Sequence, residues 1–123
     1  MDRDALLAPM CKDAGGVDTS VFDGWEVVPG YIEGEHVCTS VIKGTEIHFR
    51  VNAQYRRALI LRNRTQGYLE PLLARLGFLT TRVLKESTLQ RRFVERIGFK
   101  PTWADRQFQF YILGQLPFAR SKP

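Results

Sequence analysis

Residues 45–76, TEIHFRVNAQYRRALILRNRTQGYLEPLLARL, decide the fold of this chain. The segment from Glu46 to Val51 alternates polar and apolar residues, which is the period-two pattern of a half-buried strand. From Leu69 onward leucines recur at helical spacing, and Gly77 stands where a helix needs a C-terminal cap. The stretch therefore predicts a core strand, a basic turn and an amphipathic helix.

Composition limits the classes of protein that remain. The chain has 123 residues, 44% of them hydrophobic, which suits one globular domain with a real core. No apolar run approaches the roughly 18 residues that a membrane span requires, and the first 16 residues lack a signal-type apolar segment. We therefore expect a soluble intracellular protein. Cys11 and Cys38 match no metal or redox spacing, so we expect buried free thiols and no metal site.

The charge balance favours an acidic partner. The sequence has 18 basic and 13 acidic residues, a net charge of +5 and a pI of about 9.6. A phosphate-bearing cofactor, a nucleic acid or an acidic protein surface would all be attracted by this field. Many of the basic residues fall between Arg56 and Arg106, so the positive charge belongs to the folded body more than to a tail.

The order of predicted elements indicates a mixed α+β protein. A short helix is predicted within Met1–Lys12, followed by a polar loop to Gly24. Alternating or β-branched runs separated by turn residues predict six strands: Trp25–Ile32, Glu35–Ile42, Glu46–Val51, Phe78–Lys85, Phe99–Trp103 and Arg106–Leu113. The helix between the third and fourth strands is the βαβ pattern, so these two strands are predicted to be parallel neighbours in a mostly antiparallel sheet.

Two prolines modify these elements. Pro29 demotes part of the first strand to an edge or a bulge. Pro71 would remove the backbone bond to Gly67, so the long helix is predicted either to kink or to start afresh near Gly67.

A second helix is predicted after Ser87, which forms a capping box with Gln90. One face of this helix is apolar and is predicted to lie on the sheet, while Gly98 ends the helix. That face consists of Leu89, Phe93, Val94 and Ile97.

This order of elements, with the stretch STLQRRFVERIGF at Ser87–Phe99, resembles the GNAT acetyltransferase superfamily. The resemblance covers roughly Trp25 to Leu113. The end of the chain, with its Gln107–Gln109 strand, is similar to short GNAT-like proteins of tailed phages, some of which are internal virion proteins. We therefore expect an N-terminal arm or short helix (1–24), a GNAT-like domain (25–113) with a splayed parallel strand pair and two main helices, and a C-terminal tail (114–123).

The resemblance implies acetyl-CoA between the two splayed strands, with its pyrophosphate on backbone N–H groups at the start of the long helix. Val51, Arg56 and Arg57 would then be the cofactor-binding residues. In the family, glycines in this loop let the backbone approach the phosphate closely. This sequence departs from the family pattern, because Arg57, Leu59 and Leu61 occupy the positions of those glycines.

The sequence also departs from the family pattern at the catalytic positions that the resemblance implies. Many family members carry a tyrosine in the last helix as general acid, and the matching residue here is Val94. Glu46 or His48 would provide a general base, against the alternatives of a solvated carboxylate and a structural imidazole. Arg56 and Arg57 either clamp a phosphate or form a solvated turn.

Three hypotheses follow. The first is a catalytically degenerate GNAT-fold protein of phage type, a structural or interaction component that has virion or assembly proteins as partners and no cofactor. The second is an acyl-CoA-dependent N-acetyltransferase using acetyl-CoA. The third is a basic nucleic-acid-binding domain. We expect the protein to be made in the host cytoplasm and carried in the virion. Trp25, Trp103 and Phe110 are assigned to the core or to a partner surface before any base-stacking role.

Overall fold

The structure of the protein, a computed structural model, describes residues 2–52 and 62–114, without the side chains of residue 32 and residues 62–67. Its elements, in chain order, are α1 (Arg3–Asp13), a 3-10 helix (Thr19–Phe22), β1 (Glu26–Ile32), β2 (Glu35–Lys43), β3 (Glu46–Val51), α2 (Arg62–Leu76), β4 (Leu79–Leu84), α3 (Thr88–Ile97), β5 (Lys100–Ala104) and β6 (Phe108–Leu113).

The predicted fold class is confirmed. The protein is mixed α+β, with six strands whose pairings within each unit are antiparallel. The chain divides into two compact units, Met1–Arg56 and Arg57–Pro123.

The first unit is an antiparallel meander of β1, β2 and β3. Its two hairpin turns contain Gly34 and Gly44, whose φ angles of 82° and 63° lie in the left-handed region that glycine adopts without strain. The strand β1 lies at one end of the sheet order, and its register shifts between Gly30 and Tyr31. The prediction that Pro29 marks an edge strand or a bulge is therefore confirmed.

The helix α1 covers the apolar side of this meander. Leu7 and Cys11 are buried with Val41 of β2 in one cluster. The Asp2 side chain accepts from the N–H of Ala5 and caps the helix. The helix continues through Pro9 and ends at Asp13. Both Cys11 and Cys38 are buried free thiols, as predicted.

The second unit contains strands in the order β4, β6, β5, with both neighbouring pairs antiparallel. The helix α2 runs without interruption through Pro71, so the predicted restart near Gly67 is wrong. Burial of Leu69 and Leu72 on both sides of the proline outweighs the one backbone hydrogen bond that it removes.

The helix α3 begins as predicted, since the Ser87 hydroxyl accepts from the N–H of Gln90 at 3.4 Å. Val94 and Ile97 are buried, but Leu89 is 82% exposed, so its predicted place on the sheet-facing side is wrong. At about 100° per residue, Leu89 lies about 140° around the helix from Val94 and points away from the core.

Candidate functional site

One face of β3 carries the polar side chains from which a general base was predicted. Glu46, His48 and Arg50 alternate with Ile47 and Val51, which are both buried. A strand projects successive side chains to opposite faces, so the same alternation that buries Ile47 and Val51 places Glu46 beside His48.

Glu46 and His48 form a hydrogen-bonded pair. His48 Nε2 and Glu46 Oε2 are 2.5 Å apart, and the two side chains are 31% and 30% exposed, respectively. With the proton on Nε2 and donated to the carboxylate, Nδ1 becomes the proton acceptor of the ring. The structure therefore brings together the two residues that were predicted as alternative bases, in the arrangement of an imidazole oriented by a carboxylate.

An aromatic ring borders this pair. The ring centroids of Trp25 and His48 are 5.8 Å apart with the planes tilted by 57°, and the Lys43 ammonium lies 5.9 Å from the Trp25 centroid. The backbone carbonyl of Trp25 accepts from the Arg3 guanidinium at 2.9 Å, which ties the segment that carries this ring to α1. The Glu46–His48 pair is therefore partly exposed, with the Trp25 ring beside His48 and the Lys43 ammonium near that ring.

The C-terminal end of β3 is fixed by a polar network. The Arg50 guanidinium forms an ion pair with Asp13 and donates to the Asn52 side chain at 3.1 Å. The Asn52 amide in turn donates to the His36 carbonyl at 3.0 Å, and its backbone N–H donates to the Val37 carbonyl at 2.8 Å. The strand therefore keeps its register with β2 up to Asn52.

The predicted cofactor-binding residues are placed only in part. The Val51 side chain is buried, opposite Cys38 in the β2–β3 register. Arg56 and Arg57, together with Leu59 and Leu61, lie outside the described residues. The grouping of Val51 with the two arginines as a phosphate site therefore stays a prediction.

In the second unit, the residue at the position where the resemblance places a general acid is buried. Val94 is buried on α3. Its neighbour Glu95 accepts a hydrogen bond from the Tyr111 hydroxyl of β6 at 2.7 Å. Burial, and then the hydrogen bond to Glu95, raise the pKa of Tyr111 to about 12. This phenol therefore stays protonated at neutral pH and gives its hydrogen bond to the carboxylate.

The pairing of Tyr111 with Glu95 was missed from the sequence. Phe108, Phe110 and Ile112 dominate the alternation of the last strand, yet the deeply buried side chains belong to the other phase, Tyr111 and Leu113. The sequence does contain a signal for the buried face: Leu113 is apolar and lies two residues after Tyr111, on the same side of the strand.

The described residues contain neither a candidate metal site nor a helix that could span a membrane. Within residues 2–52 and 62–114, no group of three or more His, Cys, Asp or Glu side chains could hold a metal ion. No helix in the same two ranges is long and apolar enough to cross a membrane.

Comparison with known proteins identifies the fold. An acetyltransferase of Bacillus subtilis in complex with CoA matches with a TM-score of 0.64 and 16% identity over 94% of this chain and 95% of that one. A GNAT family acetyltransferase of Listeria monocytogenes matches with a TM-score of 0.56 and 15% identity over 88% of this chain and 83% of that one. A ribosomal-protein-alanine N-acetyltransferase of Brucella melitensis matches with a TM-score of 0.55 and 14% identity over 85% of this chain and 77% of that one. No protein-family model and no curated protein matches the sequence. The chain therefore has the GNAT acetyltransferase fold.

Proposed function

We propose that this chain is a GNAT-fold protein of phage type that has lost acetyl transfer and acts as a structural or interaction component of a virion. The observation that carries the loss of chemistry is the buried Val94, at the position where the resemblance places a tyrosine acid. The assignment to a virion rests on the resemblance of the chain's end to short phage proteins. On this proposal the protein is made in the host cytoplasm and leaves in the particle.

The leaving group explains why Val94 matters. Acetyl transfer from a thioester releases a thiolate, which a positioned acid normally protonates. A valine has no proton to give. The neighbouring phenol of Tyr111 is a poor substitute, because its pKa of about 12 makes it a weaker acid than an ordinary tyrosine and it already donates to Glu95.

The sequence of the cofactor loop supports the same proposal. No glycine occurs between Gly44 and Gly67. A pyrophosphate held by backbone N–H groups at a helix start needs residues without a Cβ at the points of closest approach. The buried side chains of Val51 and Val94 also offer acetyl-CoA no polar group.

A second candidate function is acyl-CoA-dependent N-acetyl transfer, and one observation favours it. The hydrogen-bonded Glu46–His48 pair is about one-third exposed and is chemically able to take a proton from an attacking amine. In that case Arg56 and Arg57 would have to replace the glycine loop with guanidinium donors.

Calorimetric titration of the whole chain with acetyl-CoA at low salt separates the two candidates. We expect no heat of binding at micromolar concentrations. Micromolar binding that is lost on Arg57→Ala would instead support the acetyltransferase. Arg96→Ala is the matched control, because it removes the same charge from the exposed side of α3.

The virion assignment has its own test. Particles purified from an infected host should contain the chain at a fixed ratio to the capsid protein, measured by quantitative mass spectrometry. Its absence from particles in which other internal proteins are detected would contradict the assignment and leave the proposed loss of chemistry untouched.

A further inference from the structure

The two units of the chain carry opposite net charges. Met1–Arg56 has 5 Lys and Arg against 9 Asp and Glu, a net charge of −4. Arg57–Pro123 has 13 against 4, a net charge of +9. The basic character of the protein therefore belongs entirely to the second unit, where it creates a field that attracts polyanions.

The same unit exposes aromatic and aliphatic side chains on one side of its strands. In the β4–β6 register, Arg82 pairs with Phe110 and Leu84 with Phe108, and in the β5–β6 register Lys100 pairs with Ile112. Paired residues project to the same side of a sheet. We call the resulting surface the aromatic face; it consists of Arg82, Leu84, Lys100, Trp103, Phe108, Phe110 and Ile112.

A β-bulge adds Trp103 to this face. Pro101 pairs with Tyr111 and Ala104 with Gln109, so β5 uses three steps where β6 uses two. In a regular pairing Trp103 would project to the side of Tyr111. The extra residue places its indole on the other side instead, stacked on Phe110 with ring centroids 4.1 Å apart and planes within 6°.

Hydrogen bonds hold this bulge in place. The Gln109 side chain donates to the carbonyls of Trp103 and Phe110, both at 3.1 Å. In the turn that follows, one Asp105 carboxylate oxygen accepts from the N–H groups of Gln107 at 2.8 Å and Phe108 at 2.6 Å. The indole is therefore held in position before any ligand arrives, which lowers the entropic cost of binding.

The rings present open surfaces beside cations. Trp103 is 60% exposed although one of its faces covers Phe110, so its other face is open to solvent. Leu84 and Ile112 remain 49% and 37% exposed. The Arg82 guanidinium lies 5.0 Å from the Phe108 centroid, which gives a second flat surface on the same face.

From these features we propose that the aromatic face binds single-stranded nucleic acid. Bases stack on aromatic rings and on guanidinium planes, and a surrounding positive field tracks the phosphates. The open face of the Trp103 indole and the Arg82 guanidinium plane suit unstacked bases, whereas this sheet surface offers no helix or ribbon to enter the groove of a duplex. A second copy of this chain is disfavoured as the occupant, because two surfaces from units of net charge +9 would repel each other. The proposal is independent of whether acetyl-CoA binds.

The test is fluorescence anisotropy of a labelled oligothymidylate titrated with the whole chain at several salt concentrations. We expect the logarithm of the affinity to fall linearly with the logarithm of the salt concentration, by about 0.7 per phosphate contacted. Trp103→Ala should weaken binding about 5- to 150-fold, the range for loss of one stacked base. Trp103→Phe keeps a ring and should retain most of the affinity.

The matched control is Tyr31→Ala, which removes an exposed aromatic ring from the acidic unit and should leave the affinity unchanged. Thermal unfolding of each variant shows whether it is folded. Equal affinity of Trp103→Ala and the unchanged chain would overturn the proposal. Tighter binding to a duplex of the same length, or binding to phosphatidylserine vesicles without binding to the oligonucleotide, would overturn it as well.

Discussion

The hydrogen bond from Tyr111 to Glu95 should make the stability of the protein depend on alkaline pH. The pKa of Tyr111 is raised from 10.0 to about 12, first by burial and then by the Glu95 carboxylate. A raised pKa means that folding favours the protonated phenol, so its contribution is complete below about pH 10. That contribution is lost as the pH rises through about 12. Two pKa units correspond to about 2–3 kcal/mol of unfolding free energy.

Tyr111→Phe removes this contribution and keeps the buried ring. At pH 7 the variant should lose about 1–2 kcal/mol, toward the low end for a hydrogen bond to a charged acceptor, because the exposed Glu95 regains water. Urea unfolding followed by circular dichroism from pH 7 to pH 11.5 measures the difference between the two proteins. All other ionisable groups are the same in the two proteins, so their effects cancel in the difference.

The stability difference between the unchanged chain and Tyr111→Phe should therefore shrink as the pH rises above 10. Tyr31→Phe is the control, since it removes the hydroxyl of an exposed tyrosine on the edge strand β1. A Tyr111→Phe difference that stayed constant up to pH 11.5 would refute the assignment of the raised pKa to this phenol.

Further predictions concern the core, a helix end and the candidate base. Leu7→Ala should cost about 2–5 kcal/mol in urea unfolding because the side chain is fully buried against β2, whereas Leu89→Ala should change stability by less than about 0.5 kcal/mol. Gly77→Ala should cost about 1–2 kcal/mol, since a φ of +86° disfavours any residue with a Cβ even though the added atom meets nothing within 4 Å. His48→Ala should cost less than about 1 kcal/mol, as expected for a pair about one-third exposed; a larger loss would show that the pair is structural.

Much of the fold could be predicted from local patterns. The alternation along Glu46–Val51 and the glycine turns determined the β1–β3 meander, because side-chain period and turn chemistry are properties of neighbouring residues. The Ser87 cap of α3 is local in the same way. The Glu46–His48 pair also followed from the period of the strand, although the sequence offered the two residues as alternatives.

What the sequence could not provide depends on contacts across the chain. The bulge that turns Trp103 onto Phe110 is a mismatch between two strands, and neither strand shows it alone. The burial of Tyr111 was missed because Phe108, Phe110 and Ile112 dominate the alternation of its strand, and the exposure of Leu89 was misjudged because Leu89 lies at the end of an apolar stripe. There, the neighbouring element decides which side is covered.

Nuclear magnetic resonance of the whole, isotopically labelled chain titrated with acetyl-CoA tests the central claim most directly, because it needs no knowledge of an acceptor. The claim that acetyl transfer has been lost predicts that the backbone amide signals of Val51 and Val94 keep their positions at millimolar acetyl-CoA. Saturable shifts of these two signals at micromolar concentrations, abolished by Arg57→Ala, would contradict it.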